Sequence, residues 1–194
     1  MIPTKPRKDM HRTLTNIPLA YFLTLRTYGT WLHGDDRGTV DKNHNKYQTQ
    51  RLSAAPSKLM VSEARMKDEA YLLAADSAAL VEQTIREVCA HRGWNPYAVH
   101  ARTNHVHIVV AAAVSPERAM NDFKTWTTRR LRERGFAGSE QTVWTSHGST
   151  PYLWTKPQLH AAIEYVKNWQ GGPLQRTWDD VQRELDQEGG DLWQ

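Results

Sequence analysis

The run Asn104-His105-Val106-His107-Ile108-Val109-Val110 sets two histidines alternately with aliphatic residues in the most strand-like part of the chain. In a β-strand, side chains at i and i+2 leave the same face, so His105 and His107 project side by side while Val106, Ile108 and Val110 point the other way. Val109 continues the histidine face with an apolar side chain, which predicts packing on both faces and a central strand. Two neutral imidazoles on a rigid strand offer two nitrogen lone pairs to a divalent cation. Taken alone, a His-x-His pair is more often two hydrogen-bonded histidines than a metal site, so the decision rests on the rest of the chain.

A length of 194 residues fits one domain with extensions. Hydrophobic residues at 39% and charged residues at 24% describe a globular protein, and no apolar run is long enough to span a bilayer. The start, Met1-Ile2-Pro3-Thr4-Lys5-Pro6-Arg7-Lys8, lacks the apolar core of a secretory signal, so a cytoplasmic location is expected. The single cysteine, Cys89, excludes an intramolecular disulfide and a cysteine zinc cage.

The net charge of +4 is unevenly spread. Lys5, Arg7, Lys8 and Arg12 crowd the first twelve residues, and Arg129, Arg130, Arg132 and Arg134 form a second cluster. Asp179, Asp180, Glu184, Asp186, Glu188 and Asp191 reverse the sign in the tail. A pI near 9.2 with basic patches fits a nucleic-acid partner, although solvated helix faces give the same counts. Eight tryptophans are available to stack on unpaired bases or to fill the core.

The chain divides into a flexible basic arm over 1–17, a folded domain over 18–173 and an acidic tail over 174–194. A first strand is expected over Tyr21 to Tyr28, then a Gly- and Asp-rich loop from Gly29 and a polar stretch from Asp41 to Ser57 that wraps over the surface. A helix follows over Asp76 to His91, capped by Asp76 or Ser77, with Leu80, Val81, Thr84, Ile85 and Val88 as its stripe and Gly93 as its stop. Tyr97 to Arg102 reads as a strand that Thr103-Asn104 turns back into the histidine strand. A second helix runs from Ser115-Pro116 to Arg134, burying Met120, Phe123, Thr127 and Leu131. Val143 to Thr145 and Tyr152 to Trp154 flank a turn over Ser146 to Pro151, and a third helix spans Lys156 to Gln170. The order predicts an α+β fold, a ferredoxin-like or RRM-like antiparallel β-sheet with helices packed on it.

On the third helix, Leu159, Ile163, Val166 and Gln170 share one face, and Tyr165 lies roughly 100° around from that face's centre, at the flank. A tyrosine there is ordinarily amphipathic packing. Beside a metal held by two histidines it is also placed to attack a phosphodiester.

At this point the chain resembles the single-tyrosine HUH transposases, in the IS200-like branch that includes the REP-associated tyrosine transposases. His105-Val106-His107 followed by a helix with Tyr165-Val166 and Gln170 carries the likeness. Thr27-Tyr28-Gly29-Thr30-Trp31-Leu32 with Gly34-Asp35, Phe123-Lys124 with Thr127, Arg129 and Arg130, and Trp144-Thr145-Ser146-His147-Gly148-Ser149 with Tyr152-Leu153-Trp154 extend it over roughly residues 20–173. The resemblance implies a metal-dependent endonuclease and strand transferase acting on single-stranded DNA beside hairpins. His105 and His107 would hold Mg²⁺ or Mn²⁺, and Tyr165 would form a 5′-phosphotyrosine.

A third metal ligand is implied one turn beyond the tyrosine, with Gln170 first. Family members place that glutamine four residues on, where Trp169 stands here. A five-residue spacing turns Gln170 about 140° around the helix against about 60° for Asn168, so Gln170, Asn168 and water all stay open. Lys124 is a candidate for the scissile phosphate or a snorkelling surface lysine, and Arg129 and Arg130 are candidate DNA contacts. A homodimer is open too, since relatives exchange tyrosines between subunits. The rival readings are a catalytically silent binder of hairpin DNA or RNA on the same sheet, a replication or transfer relaxase, and a hydrolase using metal-bound water. The acidic tail either covers a basic surface or packs as a helix.

Overall fold

The computed structural model describes residues 17–35, 54–168 and 178–190. Its elements are β1 (Ala20–Thr27), α1 (Pro56–Ala64), α2 (Ala75–Arg92), β2 (Asn95–Ala101), β3 (His105–Ala111), α3 (Pro116–Glu133), β4 (Trp144–Ser149), β5 (Tyr152–Leu153), α4 (Lys156–Asn168) and α5 (Trp178–Gly190). The sheet runs β2-β3-β1-β4, all antiparallel, and β5 pairs with the start of β1. This is the expected α+β architecture, with the histidine strand central as its two apolar faces require.

Alternation along the strands divides the interior in two. Leu23, Leu25, Val99, Val106, Ile108 and Val110 meet α2 through Val81, Ile85 and Val88 and α3 through Met120, Phe123 and Leu131. On the other face Phe22, Ala98 and Val109 meet Leu153 and, on α4, Ala162 and Val166. Each fully buried large aliphatic or aromatic side chain contributes about 1.5–3 kcal/mol. The larger layer, under α2 and α3, therefore supplies most of the stability. No helix among the described residues is long and apolar enough to cross a membrane.

Helix ends follow local chemistry, with one correction. Ser115 caps α3, its Oγ accepting from the Arg118 amide at 3.3 Å. Gly93 ends α2 in the left-handed region at φ 68°. However, α2 starts at Ala75 with Ala74 at its N-cap, so neither Asp76 nor Ser77 is the cap. Ser77 Oγ instead donates to the Ala74 carbonyl at 3.0 Å, and Asp76 adds its charge to the positive end of the helix dipole.

Two segments depart from the sequence expectation, and a third, the tail, takes one of the two forms the sequence left open. Helix α1 has no buried residue, and its start is tied down by the Ala55 amide donating to the Gly34 carbonyl at 3.0 Å. Without an apolar stripe its periodicity is invisible. Ser146 to Ser149 continue β4 rather than forming a turn, with Thr24 opposite Ser149 and Leu25 opposite Gly148. The acidic tail contains α5, whose Trp178 stands 4.6 Å from the Phe22 ring of the sheet and whose Val181 is buried. The basic arm up to residue 16 and the stretch 36–53 lie outside the described residues.

Gly148 lets β4 approach. A Cβ there would stand 2.5 Å from the Thr24 carbonyl oxygen and 2.7 Å from Met120 Sδ. Gly148→Ala is therefore expected to destabilise the fold by about 1–3 kcal/mol, lowering the thermal midpoint by several degrees in a calorimetric scan. An unchanged midpoint would show that β4 and α3 separate at no cost.

Candidate active site

The histidine face is built by β1 and β3 together. Their register places Phe22 opposite Val109, Thr24 opposite His107 and Arg26 opposite His105. His107 is 8% exposed, its ring stacked on Phe22 at 5.1 Å and 21°. Its Nδ1 lies 2.9 Å from Thr24 Oγ1. The tautomer that donates Nδ1–H to the threonine leaves the lone pair on Nε2. His105 stands beside it, ring centroids 4.6 Å apart. Its Nδ1 lies 2.7 Å from Asn104 Oδ1, which can only accept, so this ring too keeps its lone pair on Nε2. Asn104 is itself fixed, its carbonyl accepting from the Thr27 amide at 3.0 Å and from Thr27 Oγ1 at 3.1 Å.

Tyr165 reaches this face from α4. Buried Ala162 and Val166 seat the helix on the sheet, and Leu159 and Ile163 pack partly buried beside them. The flank position turns the phenol ring over the strands, 5.6 Å from His107 and 5.9 Å from Phe22, with Trp178 of α5 also at 5.9 Å. The two histidines and the tyrosine thus form one cluster, joined by Phe22, Thr24 and Asn104, which no sequence signal had singled out. Arg26 was missed as well. It borders the cluster, its guanidinium carbon 3.7 Å from the centroid of the Trp31 ring.

The other candidates lie elsewhere. Lys124 Nζ donates to the carbonyls of Thr145, Ser146 and His147 at 2.8, 3.2 and 3.2 Å, three acceptors for its three hydrogens. Burial lowers its pKa. The side chain neither snorkels freely nor reaches the histidine face; it straps β4 to α3. Arg129 pairs with Glu133 at 2.8 Å, and Arg130 bridges Glu87 at 3.2 Å and Glu133 at 3.4 Å, all on the helical layer behind the sheet. Asn168 Nδ2 donates to Glu164 at 2.6 Å on the exposed side of α4. His147 is exposed. Gln170 lies outside the described residues.

The donor set fits a divalent cation in part. Two Nε2 lone pairs on rings 4.6 Å apart can share an ion at the usual metal–nitrogen distance of about 2.1 Å. Among the described residues no third histidine, cysteine, aspartate or glutamate completes a metal-holding group. The remaining ligands would be an amide, water or substrate oxygens, as suits a hard ion such as Mg²⁺ or Mn²⁺.

Burial first, then the neighbouring His105 and the charge of Arg26, hold the His107 pKa well below the ordinary imidazole value of 6.5. This keeps the ring neutral and able to ligate. Below pH 6.5 the unfolded chain takes up a proton that the folded chain refuses, so the unfolded state binds more protons and stability rises with pH across that window. The thermal midpoint of metal-free protein is expected to fall between about pH 6.5 and 5, and to fall less in His107→Gln. Equal slopes for the two proteins would place the titrating group elsewhere.

No curated protein matches the chain significantly. The family model described as Transposase IS200 like matches residues 64–169, more than half of the 194 and spanning the segment from α2 to the tyrosine helix. The chain therefore belongs to the IS200-like transposase family, whose activity implies binding and breaking of DNA.

Proposed function

We propose that the protein is a metal-dependent single-stranded DNA endonuclease and strand transferase that cuts beside hairpins through a 5′-phosphotyrosine at Tyr165. The observation that supports this best is the convergence of Tyr165 on the paired histidines, with its ring 5.6 Å from that of His107. In this reading His105 and His107 hold Mg²⁺ or Mn²⁺. The cation supplies Lewis acidity that stabilises negative charge on the phosphate and on the departing oxygen.

The residues do the rest. Phe22 and α4 hold the phenol ring against the sheet, so the hydroxyl meets a bound phosphodiester without reorganisation. Tyr165 Oη bonds to phosphorus as the bond to the 3′ oxygen breaks. The phenol proton passes to solvent and the released 3′ oxygen takes one up, leaving a 5′-phosphotyrosine and a 3′ hydroxyl. The phosphodiester energy is kept in that link, so attack by another 3′ hydroxyl rejoins DNA without a nucleotide cofactor. Thr24 and Asn104 hold the imidazole tautomers that ligate.

The test is a denaturing gel with end-labelled hairpin DNA from the flanks of the gene, in Mn²⁺. Wild type is expected to give a denaturation-resistant adduct that Tyr165→Phe and His105→Ala both abolish. Cleavage that survives Tyr165→Phe without an adduct would assign a water nucleophile, and tight binding with neither product would leave a silent binder.

A second prediction concerns the hydroxyl behind His107. Thr24→Val removes its hydrogen bond at nearly constant volume and is expected to weaken Mn²⁺ binding by about 10–100-fold in titration calorimetry, with Thr24→Ser restoring most of it. Equal affinity in Thr24→Val would deny the threonine any part in orienting the ring.

A further inference from the structure

Two aromatic rings stand bare at the edge of the sheet. Most large apolar side chains of the strands are buried, yet Tyr152 and Trp154 are 43% and 46% exposed. Tyr152 lies on β5 and Trp154 one residue past its end, and Leu153 between them turns under α4 with 0% exposure. The two rings are parallel, centroids 5.7 Å apart at 9°. Behind them Tyr21 meets Tyr152 edge-on at 5.2 Å and is itself fixed, its hydroxyl donating to the Val114 carbonyl at 3.0 Å.

The backbone beneath the pair is pinned. The Leu19 amide donates to the Leu153 carbonyl at 2.8 Å, and the Phe22 amide to the Pro151 carbonyl at 2.9 Å. The Trp154 and Thr155 amides donate to Gln158 Oε1 at 2.9 and 3.2 Å, and the Gln158 amide donates to Thr155 Oγ1 at 3.3 Å, a reciprocal cap on α4. Among the described residues neither the Tyr152 hydroxyl nor the Trp154 indole N–H has a hydrogen-bond partner. Packing and backbone thus order the rings while their polar edges meet water.

An ordered, exposed aromatic surface suits a flat aromatic guest. Unpaired bases offer a π-face whatever their sequence, and a platform already in place spends no entropy on being ordered. A duplex, whose bases are stacked on one another, gains nothing from it. The IS200-like family acts on DNA, and both rings lie within the matched residues 64–169. Charge at this corner is mixed, with Lys156 two residues after Trp154 and Glu117 accepting from Thr150 Oγ1 at 3.3 Å. A ligand here is held by its rings rather than by its phosphates. Along β1, Tyr21 is three residues from Thr24 and the His107 row, roughly 10 Å. A single strand crossing the sheet edge at β5 therefore passes from these rings to the histidine face within a few nucleotides.

We propose that Tyr152 and Trp154 form a base-stacking platform that holds unpaired nucleotides of the DNA substrate beside the cleavage site. This rests on the reading of the substrate as single-stranded DNA, and not on Tyr165 as the nucleophile.

The experiment measures the affinity of the full chain for a fluorescent hairpin oligonucleotide with a single-stranded flank, by anisotropy in EDTA over a salt series. Trp154→Ala is expected to bind about 5–150-fold more weakly, the range for losing one base stack, with an unchanged slope of log affinity against log salt. Trp154→Phe should recover most of the loss, and Tyr152→Leu should weaken binding several-fold. Phe136→Leu, at a ring of similar exposure beyond the end of α3, should change nothing. An abasic residue scanned through the flank should weaken wild type at one or two positions and cost Trp154→Ala nothing further there. The scan on wild type detects the contact even if Trp154→Ala does not fold.

Trp154→Ala, folded by its thermal midpoint, that binds like wild type overturns the proposal whatever the adduct assay gives. A loss of affinity that lowers the salt slope, or that no abasic position reproduces, overturns it as well. A wild type that is dimeric by sedimentation and monomeric as Trp154→Ala, with DNA affinity unchanged, gives the rings to a second copy instead. Base-dependent loss in a protein that forms no adduct keeps the platform and sinks the nuclease reading. A wild type that binds no strand overturns both.

Discussion

The pairing register of β1 against β3 is the constraint on which the rest of this structure depends. It runs from Tyr21 opposite Val110 to Arg26 opposite His105, and near its end buried Thr24 meets buried His107 at 2.9 Å. Because side chains alternate with a period of two, a slip of one residue would send Phe22, Thr24 and Arg26 into the layer under α2 and α3. That would strand a threonine hydroxyl and a guanidinium among apolar side chains, at a cost of several kcal/mol. Leu23, Leu25, Val106 and Ile108, all at 0% exposure, hold the opposite face in register. The Asn104 carbonyl, accepting from Thr27, closes the end of the ladder where the site lies.

The two faces of the sheet do different work. Under α2 and α3 the interior is almost wholly apolar, and its few polar groups are satisfied locally, as where Thr127 donates to the Phe123 carbonyl at 2.6 Å and accepts from Trp144 Nε1 at 3.1 Å. Under α4 a buried imidazole replaces an aliphatic side chain, and the helix is seated by only two buried residues, Ala162 and Val166. A small apolar anchor leaves room for a phenol, two imidazoles and a guanidinium on the same surface. Burial keeps His107 neutral, and neutrality is what a ligating nitrogen requires. The stable layer thus positions a face that is itself poorly suited to hold a fold together.

Lys124 shows how the same residue type can read two ways. By its sequence it is a candidate either for the scissile phosphate or for a snorkelling surface lysine. The structure gives it a structural task, closing three carbonyls of β4 that the irregular β1–β4 pairing leaves exposed. Its spatial partners lie more than twenty residues away, so no local pattern could announce them.

Local periodicity by itself determined the elements and half of the site. The alternation around His105 and His107 set those rings on one face of a central strand, and the helical spacing from Leu159 to Val166 put Tyr165 at a flank. Both follow from backbone geometry within a few residues, which is why they can be read without a fold. The exposed helix α1, the true start of α2 at Ala75 and the length of β4 escaped, because each depends on partners outside its own segment. Only the tertiary structure brought Thr24 to His107 across 83 residues of sequence, laid Phe22 under the tyrosine, set Arg26 opposite His105 and turned the tail back onto the site through Trp178. Cross-strand neighbours are chosen by register and by the burial of the opposite face, and these are properties of the closed sheet rather than of any stretch of chain.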